Sequence, residues 1–207
     1  MSFNEYNTPT PLPGTQTAPR GLFIDLWGTL LVEPPKGEKK TASNLRFIDG
    51  ALEALFQAHR ANWLLYLIGN EPEVAQGQLS DDEWNEINQA FSEQIRDEGI
   101  RIQRQYICLD HPEGVGAHAF DSVFLLPNTG YLFHAMHNDS IELNKSWIIG
   151  DSTVELVSGW RAGCHLAGVE TGLGVQDGEY HVTPDFTANN IGEAVLGVLG
   201  KHPVRLL

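Results

Sequence analysis

The sequence is poor in cysteine, in basic side chains and in long apolar runs, and each shortage removes a class of protein. Its two cysteines among 207 residues, Cys108 and Cys164, lie far apart and build neither a disulfide scaffold nor a four-cysteine zinc site. Lys and Arg number 13 against 27 Asp and Glu, a formal net charge of −14. A nucleic-acid backbone or an anionic membrane needs clustered cations, so neither is expected as a partner. The same imbalance repels phosphate esters in general, so a phosphate site has to be assembled locally. No apolar run approaches bilayer length, and no basic stretch followed by an apolar one opens the chain. A soluble, cytoplasmic protein is the expectation. Residues 1–19, rich in Pro and Thr, read as a flexible arm, and residues 20–207 suffice for one α/β domain.

The stretch that organises the rest is GLFIDLWGTLL, residues 21–31. A β-branched and aromatic run that breaks at Gly28 predicts a buried strand entering a tight turn, with Asp25 presented at the strand's carboxyl end. Open α/β sheets place their chemistry there. A polar loop with Lys36, Lys39 and Lys40 follows, then a helix over 43–60 and a second buried strand over 62–69 that ends at Asn70. Ser80 and Glu83 form a capping box that opens a helix to about residue 98, with Trp84, Ile87, Phe91 and Ile95 at helical spacing. Strands over 104–109, 146–151 and 165–170 alternate with helices over 130–138, 153–162 and 190–199. That alternation predicts a doubly wound, three-layer α/β sandwich with a mainly parallel sheet and no large cap domain.

The pattern Asp-x-x-Gly-Thr-Leu after a hydrophobic strand resembles the first motif, DxDGT, of the haloacid dehalogenase superfamily. Within it, the wording is most similar to the capless histidinol-phosphatase and heptose-bisphosphate-phosphatase group, over residues 21–172. LIGNEPEVAQGQLS (67–80) parallels that group's TNQSGIARGYFS, and ICLDHPE (107–113) parallels its CPHHPE. PNTGYL (127–132) parallels the end of RKPKPGML, and SWIIGDSTVEL (146–156) parallels SWMVGDKxxDI. The resemblance implies a phosphatase fold in which Asp25 is the nucleophile and Asp25, Asp151 and Glu155 hold Mg2+. Gly69, Asn70 and Trp27 stand at the substrate-facing positions, and the ligand is a phosphorylated small molecule.

Phosphoaspartyl transfer needs a nucleophilic carboxylate, a held cation, donors to the phosphate oxygens, a fixed positive charge and an acid for the leaving oxygen. The acid falls at Trp27, which transfers no proton at neutral pH. The hydroxyl donor of the second motif falls at Gly69, and the third-motif Arg and Lys fall at Leu125 and Leu126. A zinc loop of the heptose-phosphatase type is not expected, because Asp110 stands where a ligating His should be, although Cys108, His111, His118 and Asp121 are ligand types in one region. The expectation is a catalytically impaired phosphatase relative that works by binding a phosphorylated ligand or a protein, the alternative being an active Mg2+-dependent phosphatase that uses Asp25. The carboxylates of Asp25 and Asp151 are expected within about 8 Å, the reach of two ligands on one ion. A Lys36–Lys40 loop folded over Asp25 would favour chemistry, and one turned to solvent would favour its loss.

Overall fold

The computed structural model describes residues 18–201. Of the expected arm, residues 1–17 lie outside the described residues, and at its end the Pro19 carbonyl accepts a hydrogen bond of 3.0 Å from the Glu142 amide. The strands are β1 (Gly21–Asp25), β2 (Leu64–Asn70), β3 (Ile102–Cys108), β4 (Trp147–Gly150), β5 (His165–Val169) and β6 (Phe186–Ala188). The helices are α1 (Ala51–Arg60), α2 (Pro72–Ala75), α3 (Asp81–Asp97), α4 (Gly130–Asp139), α5 (Thr153–Ala162) and α6 (Ile191–Lys201).

All five strand pairings are parallel, and the order across the sheet is β3-β2-β1-β4-β5-β6. Parallel strands buried on both faces must be apolar along their whole length, which is why β1 reads GLFID and β4 reads WIIG without alternation. One face is covered by α1, α3 and α6 through Leu55, Trp84, Phe91 and Val195. The other is covered by α4 and α5, where Tyr131, Leu132 and Leu156 meet Phe23, Tyr66 and Ile148. The result is the three-layer, doubly wound sandwich that the alternation of elements implied. From β1 the chain winds outward first through β2 and β3, then through β4 to β6. The crevice at the carboxyl ends of β1 and β4 is therefore the topological switch point.

One local expectation needs correction, and two short elements had no counterpart in the sequence reading. The helix expected over 43–60 begins at Ala51, because Gly50 takes a left-handed conformation (φ +81°) that a continuing helix excludes. The preceding residues pair with the segment after β1 instead: Val32 N–H donates to Arg46 O (2.9 Å) and Ile48 N–H to Leu30 O (2.9 Å). The edge strand β6, three residues inside a Gly- and Pro-rich stretch, and the one-turn helix α2 carry too short a pattern to stand out in sequence. Ser80 and Glu83 do form the anticipated capping box.

Helix α5 lies close on β4 because residue 159 has no side chain. A Cβ there would stand 2.2 Å from Ile148 Cγ1 and 2.9 Å from Leu166 Cδ2. Ala is the better helix former by about 1 kcal/mol in an exposed helix, yet Gly159→Ala should destabilise by about 1–3 kcal/mol through overpacking. A urea unfolding midpoint equal to or above wild type would show that α5 does not sit so close to the sheet.

Candidate active site

Asp25 ends β1 and Asp151 follows β4, so the sheet sets the two carboxylates side by side. Glu155, one turn into α5, comes back over the same spot. Oxygens from Asp25, Asp151 and Glu155 all lie within 4.8 Å of one another, and all three residues are buried. Asp25 and Asp151 thus meet the expected separation. Backbone economy makes this approach possible. A Cβ at position 28 would lie 2.3 Å from Asp151 Oδ2, and one at position 172 would lie 2.0 Å from the same atom. Both glycines also adopt left-handed φ values, +84° and +60°, which favour glycine on their own account.

Asp151 and Glu155 are braced by donors. Thr29 Oγ1 donates to Asp151 Oδ1 (3.2 Å) and the Leu173 amide donates to Asp151 Oδ2 (2.7 Å). Glu155 accepts from the Ser152 amide (2.8 Å) and from the Ser152 hydroxyl in a capping box that starts α5. Burial, followed by repulsion from Glu155 and Asp151, pushes the Asp25 carboxyl well above the usual carboxylate range. Burial raises Asp151 too, against the pull of its Leu173 and Thr29 donors. Burial and the Asp151 charge raise Glu155 to about 7. Three buried, mutually repelling carboxylates with hard oxygen donors are what a divalent cation such as Mg2+ binds, and the donor set fits it.

The positions around this cluster differ in residue type from the motifs that the sequence resembles. A side chain begun at Gly69 would start 3.3 Å from Asp25 Oδ1, so position 69 does face the candidate nucleophile, with no hydroxyl to offer. Asn70, expected to face substrate, has its amide engaged elsewhere: Nδ2 donates to Leu126 O (3.1 Å) and Oδ1 accepts from Leu126 N–H (2.8 Å). It braces the third-motif loop. Leu126 itself is buried in the apolar cluster with Tyr66, Ile68 and Tyr131. Trp27 donates from Nε1 to Glu71 Oε2 (2.9 Å), and its ring lies under the Lys40 ammonium, 4.7 Å from the centroid.

The lysine loop divides. Lys36 is exposed, and Lys39 pairs with Glu83 at the surface (2.6 Å). Lys40 folds inward and is buried, bonded to both oxygens of the fully buried Glu71 at 3.1 and 3.2 Å. Glu71 was not singled out from the sequence. Its place directly after Asn70, at the end of a buried strand, was the available signal. In the region of the expected zinc-ligand types, His118 bridges Asp110 (2.9 Å) and Asp81 (3.0 Å), and the Cys108 thiol donates to the Asp110 carbonyl.

No protein-family model matches the chain. A D-glycero-β-D-manno-heptose-1,7-bisphosphate 7-phosphatase of Pasteurella multocida is 29% identical over 140 residues, 68% of this chain and 75% of that protein. A D-glycero-D-manno-heptose-1,7-bisphosphate 7-phosphatase of Thermosynechococcus vestitus is 29% identical over 183 residues, covering 84% and 92%. Among solved structures, a HAD-like phosphatase of Mesorhizobium loti superposes with a TM-score of 0.72 at 25% identity over 88% of this chain and 87% of that one. The chain belongs to the haloacid dehalogenase superfamily. Within that superfamily it falls in the heptose bisphosphate phosphatase group. The D,D-heptose 1,7-bisphosphate phosphatase of Bordetella bronchiseptica, solved with magnesium and phosphate, shares this haloacid dehalogenase fold with a TM-score of 0.73 at 19% identity, over 88% of this chain and 99% of that one. Among the described residues, no helix is long and apolar enough to cross a membrane.

The clustered carboxylates of this haloacid dehalogenase chain make its stability depend on pH. A carboxyl group raised in the folded state binds its proton more tightly there than in the unfolded chain. Stability is therefore complete below the unfolded value, about 4, and declines as pH rises through the folded value, which for Glu155 is about 7. In EDTA, the thermal midpoint should fall between about pH 5 and about pH 8. Saturating Mg2+ should remove most of that fall, because a bound cation offsets the repulsion. A midpoint that rises over this range, or is indifferent to Mg2+, would refute the mutual repulsion of the three groups.

Proposed function

We propose that the chain binds Mg2+ together with a phosphorylated sugar at the carboxyl ends of β1, β2 and β4, and that it turns over ordinary sugar phosphates slowly. The observation that carries this reading is the pairing of an intact buried carboxylate cluster with a Leu and a Trp at the two positions that should supply charge and proton. Asp25 is the nucleophile, and Asp25, Asp151 and Glu155 hold the cation. Bound Mg2+ supplies the positive charge that lets a phosphate dianion sit beside these carboxylates. Gly69 offers the phosphate its backbone rather than a hydroxyl, and Trp27 covers the leaving-group side.

The slow turnover follows from magnitudes. Loss of one preorganised charge or donor costs about 10²–10³ in rate. With no carboxyl at position 27, a leaving group that needs protonation loses a further factor of about 10²–10⁴ unless another side chain supplies the proton. The buried, apolar setting of Leu126 leaves no room to argue that a cation sits there in another guise. The relatives' action on heptose bisphosphates supports a sugar phosphate as the ligand class. A second reading, an active phosphatase for acyl phosphates, is favoured by the same intact cluster, since a good leaving group needs no acid.

Release of inorganic phosphate from acetyl phosphate and from fructose 1,6-bisphosphate, with and without Mg2+, tests both readings. Acetyl phosphate should be cleaved at least about a hundredfold faster than the bisphosphate if no side chain supplies the proton, and at a more similar rate if one does. Asp25→Asn should abolish both reactions. Wild-type bisphosphate turnover near 10 per second, an ordinary enzymatic rate of about that size, would overturn the impaired reading.

A further inference from the structure

Among the described residues the buried charged side chains are Asp25, Lys40, Glu71, Asp151 and Glu155. Three of them form the carboxylate cluster, and the other two are bonded to each other. A buried ion pair rarely repays its desolvation by its own attraction, so its presence calls for a reason other than stability. Its location suggests one. Lys40 Nζ rests 4.7 Å from the ring centroid of Trp27, and the same ring's N–H holds Glu71 at 2.9 Å. Trp27 is two residues beyond Asp25, at the position from which an acid would serve the leaving group. The indole has displaced that acid, and its face carries an ammonium.

We infer that Lys40 is the proton donor to the leaving oxygen in the phosphoryl transfer this site performs, with Glu71 and the Trp27 ring holding it in place. The inference rests on the reading of Asp25 as nucleophile. Two contacts of the ammonium are firm, to the Glu71 oxygens at 3.1 and 3.2 Å. The other two are longer, 3.4 Å to Glu33 and 3.8 Å to Glu73, whose side chains are 51% and 31% exposed. A substrate oxygen displaces these outer contacts and leaves the Glu71 bonds intact. In the first half-reaction an Asp25 oxygen bonds to phosphorus, the bond from phosphorus to the leaving oxygen breaks, and that oxygen takes a proton from Lys40 Nζ. In the second half-reaction water attacks the phosphoaspartate phosphorus and returns its proton to the Lys40 amine. Asp25 and inorganic phosphate are released, and the net reaction consumes one water.

Lys40→Arg separates this role from a purely structural one. Arginine keeps the charge, the pairing with Glu71 and the stacking on the ring, but a guanidinium does not give up its proton. The ratio of fructose 1,6-bisphosphate to acetyl phosphate turnover should fall about a hundredfold in Lys40→Arg and in Lys40→Met, because only the sugar alkoxide needs a proton. Glu71→Gln should lower the same ratio by a smaller factor. A ratio unchanged in Lys40→Arg, or two rates that fall together, would overturn the inference. Should the variants not fold, wild type alone decides the matter across phosphate esters whose leaving alcohols differ in acidity. A rate nearly independent of the leaving group supports an internal acid, and a steep dependence overturns it. Bisphosphate turnover no greater than in Asp25→Asn also overturns it, and leaves Mg2+ and ligand binding, followed by calorimetry, as a separate matter. Acetyl phosphate turnover that survives in Asp25→Asn would instead remove the nucleophile assignment.

Discussion

Three carboxylates packed within 4.8 Å of one another, inside the protein and with no cationic side chain bonded to them among the described residues, are the constraint around which the rest of this structure is arranged. Like charges at that distance in a medium poorer than water repel by several kcal/mol, so the backbone must force the approach and a cation or protons must relieve it. The forcing is visible in detail. Two adjacent parallel strands end at the same level, which puts Asp25 and Asp151 side by side at the carboxyl end of the sheet. Gly28 and Gly172 clear the space that any Cβ would take from Asp151. A capping box at the start of α5 then turns Glu155 inward by giving its oxygens the Ser152 donors.

Around that cluster, the positions where the resembled motifs carry an acid and a lysine hold Trp27 and Leu126, and the two side chains are accommodated in different ways. Leu126 is absorbed into the core: where a cation would project, an aliphatic side chain packs with Tyr66 and Tyr131, and the Asn70 amide clamps its backbone. That change is one of packing. Trp27 is different. It brings in a second buried polar system, the Lys40 and Glu71 pair, at the cost of desolvating both charges. A chain drifting free of any chemistry would shed such a pair, since an apolar pair of the same volume is about as stable or more so.

Much of this was readable from residues alone. Period and composition disclosed the β1, β2 and β4 runs, the alternation with helices, and the aspartates at strand ends, because a buried parallel strand must be apolar throughout and a polar residue at its end stands out. The Ser80 capping box was equally legible, since its two bonds are local in sequence. The start of α1 was not, because the apolar spacing of 43–48 suits a helix and only the pairing with residues 30–32 draws that segment away.

What the sequence by itself determined is the fold class and the identity of the carboxylates, because both depend on local pattern and on motifs whose spacing is fixed along one strand or one helical turn. What only the tertiary structure decided is which of three nearby lysines is buried, that the Asn70 amide braces the loop at Leu126, and that Glu71 is the partner of Lys40. Lys40 and Glu71 are 31 residues apart, and Asn70 and Leu126 are 56 apart. Contacts of that kind leave no periodic trace, since they arise when a loop without regular structure folds back onto the end of a strand, and burial rather than spacing selects the residue that is used.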